Sequence, residues 1–199
     1  MSHSIIDLIG NTPLVVSRSL NTNPGVTLMF KMEGHNPGAS VKDRAAYNMI
    51  KSGMDRGEIS GNSKLIEATS GNTGIALAMI AGIYKLNIEL VMPENSTKER
   101  VQTMRAYGAK VILTDAELGI EGARDYAEKK VKDSGYQMLN QFANDDNWKA
   151  HYETTGPEIW QDTEGKVTHF VSSMGTTAPI MGTSAYLKEK CKNITIDGV

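Results

Sequence analysis

One cysteine, Cys191, is present in 199 residues. It cannot pair within the chain, which excludes an internal disulfide framework and suits a reducing, cytoplasmic setting. Its neighbours Lys188, Glu189, Lys190 and Lys192 include no evident general base, so thiol catalysis is not expected. Long hydrophobic runs are missing too. The longest uncharged apolar stretch, Gly74 to Tyr84, is too short to cross a bilayer. Nor is there an excess of one charge: the formal net charge is −2, with acids and bases interspersed, which leaves no basic stripe for nucleic acid. Met1-Ser2-His3-Ser4 has neither a basic n-region nor an apolar h-region, so no signal peptide is expected. The four histidines, His3, His35, His151 and His169, lack metal-ligand spacing and are given no catalytic role. His35 reads as a surface turn residue.

What is present is an ordinary globular composition, 40% hydrophobic and 22% charged, in one domain or two small ones. Apolar runs and periodic segments alternate. Residues 5–16 read as a helical turn, a Gly-Asn-Thr-Pro break and a strand start, and Val26 to Met32 as a strand. After the turn-rich Gly34 to Ala39 come Ser40-Val41-Lys42-Asp43-Arg44 and an amphipathic helix to about Arg56. Strands follow at Lys64–Ala68, Leu86–Met92, Ala109–Thr114, Tyr136–Leu139, Val167–Ser173 and Asn193–Val199. Between them helices are expected at Gly74–Tyr84, Thr97–Tyr107 (capped by Thr97, closed by Gly108), Gly122–Ser134 and Ile180–Lys190. Asp146–Gln161 reads as helical with a break or restart at Gly156-Pro157. This alternation predicts an α/β fold with mostly parallel sheets flanked by helices.

Two strand-to-helix loops, 69–74 and 172–177, are rich in Gly, Ser and Thr. Ligands of open α/β sheets bind at such loops, outside the carboxyl ends of the strands. Gly71 and Gly74 allow close backbone approach. Ser70, Asn72 and Thr73 offer polar groups beside the free N–H groups of a helix start, where an anion is favoured. The same residues also make an ordinary helix cap. Neither loop matches a P-loop or dinucleotide fingerprint. Pattern alone therefore ends at an α/β protein that binds a small anionic ligand.

Six blocks carry more: IGNTPLV (9–15), NPGASVKDR (36–44), EATSGNTGIALA (67–78), MPENSTKERVQTMRAYGA (92–109), HYETTGPEIW (151–160) and THFVSSMGTT (168–177). Together they resemble the cysteine synthase (O-acetylserine sulfhydrylase) family of fold type II pyridoxal-phosphate enzymes, with wording closest to the B-type isozyme. The resemblance implies that Lys42 bonds covalently to pyridoxal 5'-phosphate and shuttles the substrate Cα proton. It implies that Asn72 bonds the ring 3′-oxygen, and that Thr69, Ser70, Thr73 and Gln141, with Asn72 beside them, hold the substrate carboxylate. Gly175, Thr176, Thr177, Ala178 and Pro179 would form the phosphate cup. The reaction implied is β-replacement: acetate leaves O-acetylserine, and sulfide (or thiosulfate) adds to the β-carbon to give cysteine. A homodimer free of nucleic acid and membrane is also implied. So is a two-domain architecture, with 1–12 and 35–145 in a smaller mobile domain. Residues 13–34 and 146–199 then belong to a larger, incomplete cofactor-binding domain.

The chain departs from the family in two ways. Family cups read Gly-Thr-Thr-Gly-Thr, whereas 175–179 are Gly-Thr-Thr-Ala-Pro. Pro179 removes up to two phosphate donors, each contributing about 1.5–3 kcal/mol, and Ala178 adds strain if positive φ is needed there. Gly38-Ala39 likewise inverts the usual Ala-Gly. Family chains also continue beyond Val199, into further strands and a serine for the pyridine nitrogen. Two alternatives to β-replacement therefore stand: a truncated, impaired relative that binds cofactor weakly or acts through protein contacts, and a cystathionine β-synthase-like or serine dehydratase sister enzyme. The GPEIW and MRAYGA blocks disfavour the sister enzymes.

Overall fold

The computed structural model describes residues 4–199. They fall into two compact units, one made of residues up to Arg44 with Asn147–Val199 and the other of Ala45–Asp146. In chain order the elements are β1 (Leu14–Val16), β2 (Met29–Lys31), α1 (Lys42–Asp55), β3 (Lys64–Ala68), α2 (Asn72–Tyr84), β4 (Asn87–Pro93), α3 (Lys98–Ala106), β5 (Lys110–Thr114), α4 (Gly119–Ser134), β6 (Gln137–Met138), α5 (Asp145–Ala150), α6 (Gly156–Asp162), β7 (His169–Ser172), α7 (Ala178–Lys190) and β8 (Thr195–Gly198). Among the described residues no helix is long and apolar enough to cross a membrane.

The unit 45–146 is built on a four-stranded sheet of order β5-β4-β3-β6, parallel throughout. Its central strands read as nearly continuous apolar runs because both faces are covered; Leu65, Ile66, Leu90, Val91 and Met92 are all buried. On one face Ala123 and Ala127 of α4 pack on Ile66 and Val91. Helix α2 is uncharged and apolar through its middle, as a helix segment buried all round must be, and Ala76 to Ala81 are almost inaccessible. Gly74 serves packing: a Cβ there would stand 2.7 Å from Met104 Cε. Thr97 occupies the cap position of α3 but makes no side-chain capping bond.

The other unit holds the antiparallel pair β1–β2 and the parallel pair β7–β8. Its core gathers Ile159, Leu187 and Ile194, with Trp160, Phe170 and Tyr186 against them. Strand β2 is shorter than the expected Val26–Met32. Upstream, Asn21 and Asn23 side chains bond nearby backbone groups and hold a turn instead.

At Gly156-Pro157, where a break or restart is expected, the structure shows a restart: α6 begins at Gly156. Residues 145–162 stay helical because a five-residue π turn, His151–Thr155, precedes α6. Pro157 then lies in the first turn of α6, where its missing N–H costs nothing. Gly156 and Gly182 are contact residues: Cβ atoms would stand 2.7 Å from Tyr186 Cβ and 2.7 Å from Tyr152 N respectively.

Residues 4–12 and 35–44 group with this unit. Buried Arg44 is the tie: its guanidinium bonds Glu33, Glu158 and Thr12 at once. His3 lies outside the described residues.

Candidate cofactor and substrate site

Lys42 opens α1. Its own N–H donates to Ser40 Oγ at 3.2 Å, and the preceding loop is held by Asn36. That buried amide accepts from Gly10 N–H at 2.8 Å and donates to the Glu33 carbonyl at 2.9 Å. The Lys42 amine donates to Thr176 Oγ1 at 3.3 Å. Burial lowers its pKa, and the position at a helix N-terminus acts in the same direction. Both effects favour the neutral amine, the form that can attack an aldehyde.

Ala39 and Gly38 define the strain beside that lysine. Ala39 sits at φ +63°, the region L-residues avoid at a cost of about 1–2 kcal/mol. A Cβ on Gly38 would stand 3.0 Å from Asp43 Cγ and nearer still to its oxygens. The order Gly-Ala thus suits the Asp43 carboxylate and strains Ala39. Burial pushes Asp43 up to about 6 against the Gly38 N–H, which donates to it. Ala39→Gly should raise stability by about 0.5–1 kcal/mol after the entropy of glycine is charged against it. Gly38→Ala should lower it. Urea midpoints of the two variants check both signs, and a loss on Ala39→Gly would refute the strain.

Thr176 belongs to the second Gly/Thr loop, which leads into α7. The left-handed residue there is Thr177, at φ +61°. Ala178 is buried as the first residue of a 13-residue helix, so the anticipated strain at Ala178 is absent. Pro179 occupies the second helical position. The first-turn N–H groups of a helix have no intrahelical acceptor, and here Pro179 withdraws one of them. Gly175 has open space where a Cβ would stand.

Next to these residues lies a buried ionic cluster that spacing could not reveal. Arg44 is 2% exposed. Its Nε and Nη2 donate to Glu33 at 2.7 and 2.8 Å, and Nη1 and Nη2 donate to Glu158 at 2.6 and 2.7 Å. Lys31 pairs with Glu158 at 2.9 Å. Burial pushes Glu158 up, but the bonds from Arg44 and Lys31 prevail and hold it at about 2. His151, given no role from spacing, is fully buried in the π turn. Its Nδ1 lies 2.9 Å from Thr155 Oγ1, while Nε2 has no partner among the described residues. Burial, helped by the Arg44 charge, brings its pKa down to about 4, so the ring is neutral at pH 7. Each of these residues except Lys31 and Glu33 falls inside one of the six blocks, which is the signal that could have found them.

The remaining expected residues lie in the unit 45–146. The loop after β3 presents Thr69, Ser70, Asn72 and Thr73, with Gly71 as the cap residue of α2 and open space around its Cα. Thr69 Oγ1 accepts from Gly71 N–H at 3.4 Å. Thr73 Oγ1 donates to Gln141 Oε1 at 2.7 Å. The structure thus brings Thr73 and Gln141 together, and separately Lys42 and Thr176. Among the described residues no cluster of His, Cys, Asp or Glu could hold a metal ion.

A half-buried lysine whose pKa is lowered by burial, a neighbouring hydroxyl loop and a helix start form a group that fits an aldehyde-bearing phosphate ester. The chain belongs to the pyridoxal-phosphate dependent enzyme family, whose sequence model matches residues 5–199. Its relatives within that family include cysteine synthases. It is 55% identical over 196 residues to cysteine synthase B of Pseudomonas aeruginosa, covering 98% of this chain and 66% of that protein. It is 53% identical over 191 residues to cysteine synthase B of Escherichia coli, covering 96% and 63%. The crystal structure of cysteine synthase from Entamoeba histolytica superposes with a TM-score of 0.96 at 38% identity, over 100% of this chain and 60% of that one. The chain thus spans slightly under two thirds of the length of these relatives.

Proposed function

We propose that this chain acts in pyridoxal-phosphate-dependent β-replacement, making L-cysteine from O-acetyl-L-serine and sulfide or thiosulfate. The observation that carries this reading is the Lys42 amine, disposed toward neutrality by burial and 3.3 Å from Thr176 Oγ1. Lys42 is the residue that would join the cofactor aldehyde. Once released, its Nζ would take the proton from the substrate Cα. When bound, pyridoxal phosphate supplies an electron sink next to that carbon. The 175–179 loop and the start of α7 would hold the phosphate, and Asn72 the ring oxygen. Thr69, Ser70, Thr73 and Gln141 would hold the substrate carboxylate. The unit bearing the Asn72 loop is the smaller, mobile domain in this reading. The protein acts in the cytoplasm as a homodimer, without nucleic acid or membrane.

Titration of the purified chain with pyridoxal phosphate, followed by borohydride reduction, tests it. A saturable change in visible absorption and a trapped adduct at Lys42 are expected. No spectral change at high cofactor concentration would reject the reading.

One observation favours the second reading, a relative with weakened cofactor binding: Pro179 in the first turn of α7. Pro179→Thr restores an N–H and a hydroxyl and should tighten cofactor binding about 10- to 100-fold. Ala178→Gly should bring no gain, because Ala178 is helical and buried. An unaltered dissociation constant for Pro179→Thr would show that this turn does not hold the phosphate.

A further inference from the structure

Strand β6 pairs with β3 for two residues only, Leu65 with Gln137 and Ile66 with Met138. Beyond Met138 the chain leaves the ladder, yet its next N–H groups are not left to solvent. Glu67, one residue further along β3 and 3% exposed, turns its carboxylate to them. Oε2 accepts from Asn140 N–H at 2.8 Å and Oε1 from Gln141 N–H at 3.4 Å. A buried side chain continues what the backbone stops doing. The turn so held is not a relaxed one, since Asn140 sits at φ +52°. Its carbonyl accepts from Ala143 and Asn144 N–H, both at 3.0 Å.

Burying a carboxylate is costly unless something requires it. A glutamine or an apolar residue would suit a strand interior better, and burial lifts Glu67 to about 7 against the pull of these N–H groups and the Arg124 charge. What the carboxylate secures is the direction of one side chain. With its backbone fixed, Gln141 reaches Thr73 Oγ1, which donates to Oε1 at 2.7 Å. That bond turns the amide so that its NH2 is the donating end.

We propose that Glu67 is a positioning residue: through the Asn140–Gln141 backbone it sets the Gln141 amide for an amino-acid α-carboxylate. The inference rests on the assignment of Thr73 and Gln141 to substrate in the proposed function. Glu67 itself touches no substrate. Its removal should therefore weaken amino-acid binding and leave cofactor binding alone.

The test compares wild type, Glu67→Gln, Gln141→Ala and the double variant, all loaded with pyridoxal phosphate at pH 8. L-serine is the carboxylate probe, read by its spectral shift, and amide hydrogen exchange is followed at residues 139–142. Glu67→Gln keeps one acceptor and loses the charge. It should weaken L-serine binding about tenfold, speed exchange at Asn140 and Gln141 about tenfold or more, and change cofactor affinity less than about twofold. The double variant should bind L-serine no worse than Gln141→Ala, because the two act as one unit. Faster exchange with unchanged L-serine affinity would overturn the proposal and leave Glu67 a purely structural anchor, and so would unchanged exchange. A wild-type chain that takes cofactor but never responds to L-serine would overturn the substrate assignment, and with it this use of Glu67. Glu67→Asp, which keeps the anion but withdraws it by one methylene, gives the same readouts if Glu67→Gln is recovered unfolded.

Discussion

Lys42→Ala should abolish the borohydride-trapped cofactor adduct while leaving a folded protein. The two halves of that expectation have separate grounds. Covalent capture of an aldehyde proceeds through the neutral amine, and burial shifts Lys42 toward that form. Replacement by another surface lysine would not restore it. Folding, by contrast, depends little on this side chain. Its amine donates to Thr176 Oγ1 at 3.3 Å, a bond worth about 1 kcal/mol, and alanine is the best helix former at the start of α1. Mass spectrometry after reduction checks the first half and a urea titration the second. A trapped adduct of equal yield in Lys42→Ala would remove Lys42 from the site.

Replacing Arg44 with methionine should cost far more stability, about 3–5 kcal/mol. The loss comes less from bonds forgone than from what stays behind: Glu33 and Glu158 would remain in poorly solvated positions without the guanidinium that both share. An exposed pair such as Lys51–Asp55 is the contrast, since solvent screens it and its removal should leave stability nearly unchanged. The cluster also fixes an acid dependence. Glu158 is held at about 2 in the folded chain, below its ordinary 4.5. A depressed acid contributes stability that is complete above the unfolded value, so the contribution is lost as pH falls from about 4.5 toward 2. In Arg44→Met that acid-side loss should shrink, because the main bonds that depress Glu158 are gone. Chemical denaturation between pH 3 and pH 8 measures both effects. A drop below about 1 kcal/mol at pH 7 would mean that the two glutamates are relieved by water or by protonation.

The sheet of 45–146 was legible because parallel strands covered on both faces leave dense apolar runs; Lys64–Ala68 and the buried α2 could be read directly. Strand β2 begins later than its composition suggests because the carbonyl of Val26 is taken by the Asn21 side chain, while Leu28 keeps a single bond, from Ser17 N–H, beyond the paired residues. The π turn leaves no trace in periodicity, since five residues cannot establish a period, whereas Gly156-Pro157 does mark the start of α6, with the proline in its first turn. At the site, Lys42 is one lysine among many by pattern, and only the family resemblance singled it out. Arg44 and Glu67 were unreadable for a different reason. A charged residue in an amphipathic segment looks solvated, and the partner that makes Arg44 buriable, Glu158, is 114 residues away. Gln141 was reached by resemblance; its bond to Thr73 spans 68 residues.

The widened turn at 151–155 makes register a quantity under constraint. Each helical residue advances the side-chain direction by about 100°. The wider π turn uses five residues for roughly the rotation that four take in an α-helix, so it absorbs one extra residue between α5 and α6. Glu158 meets Arg44 beyond that turn. Tightening the turn to α geometry at unchanged length would swing Glu158 by about 100° from the guanidinium, whereas removing one residue together with the bulge would leave its direction nearly unchanged. The stretch works as an angular spacer in which turn width and residue count compensate each other.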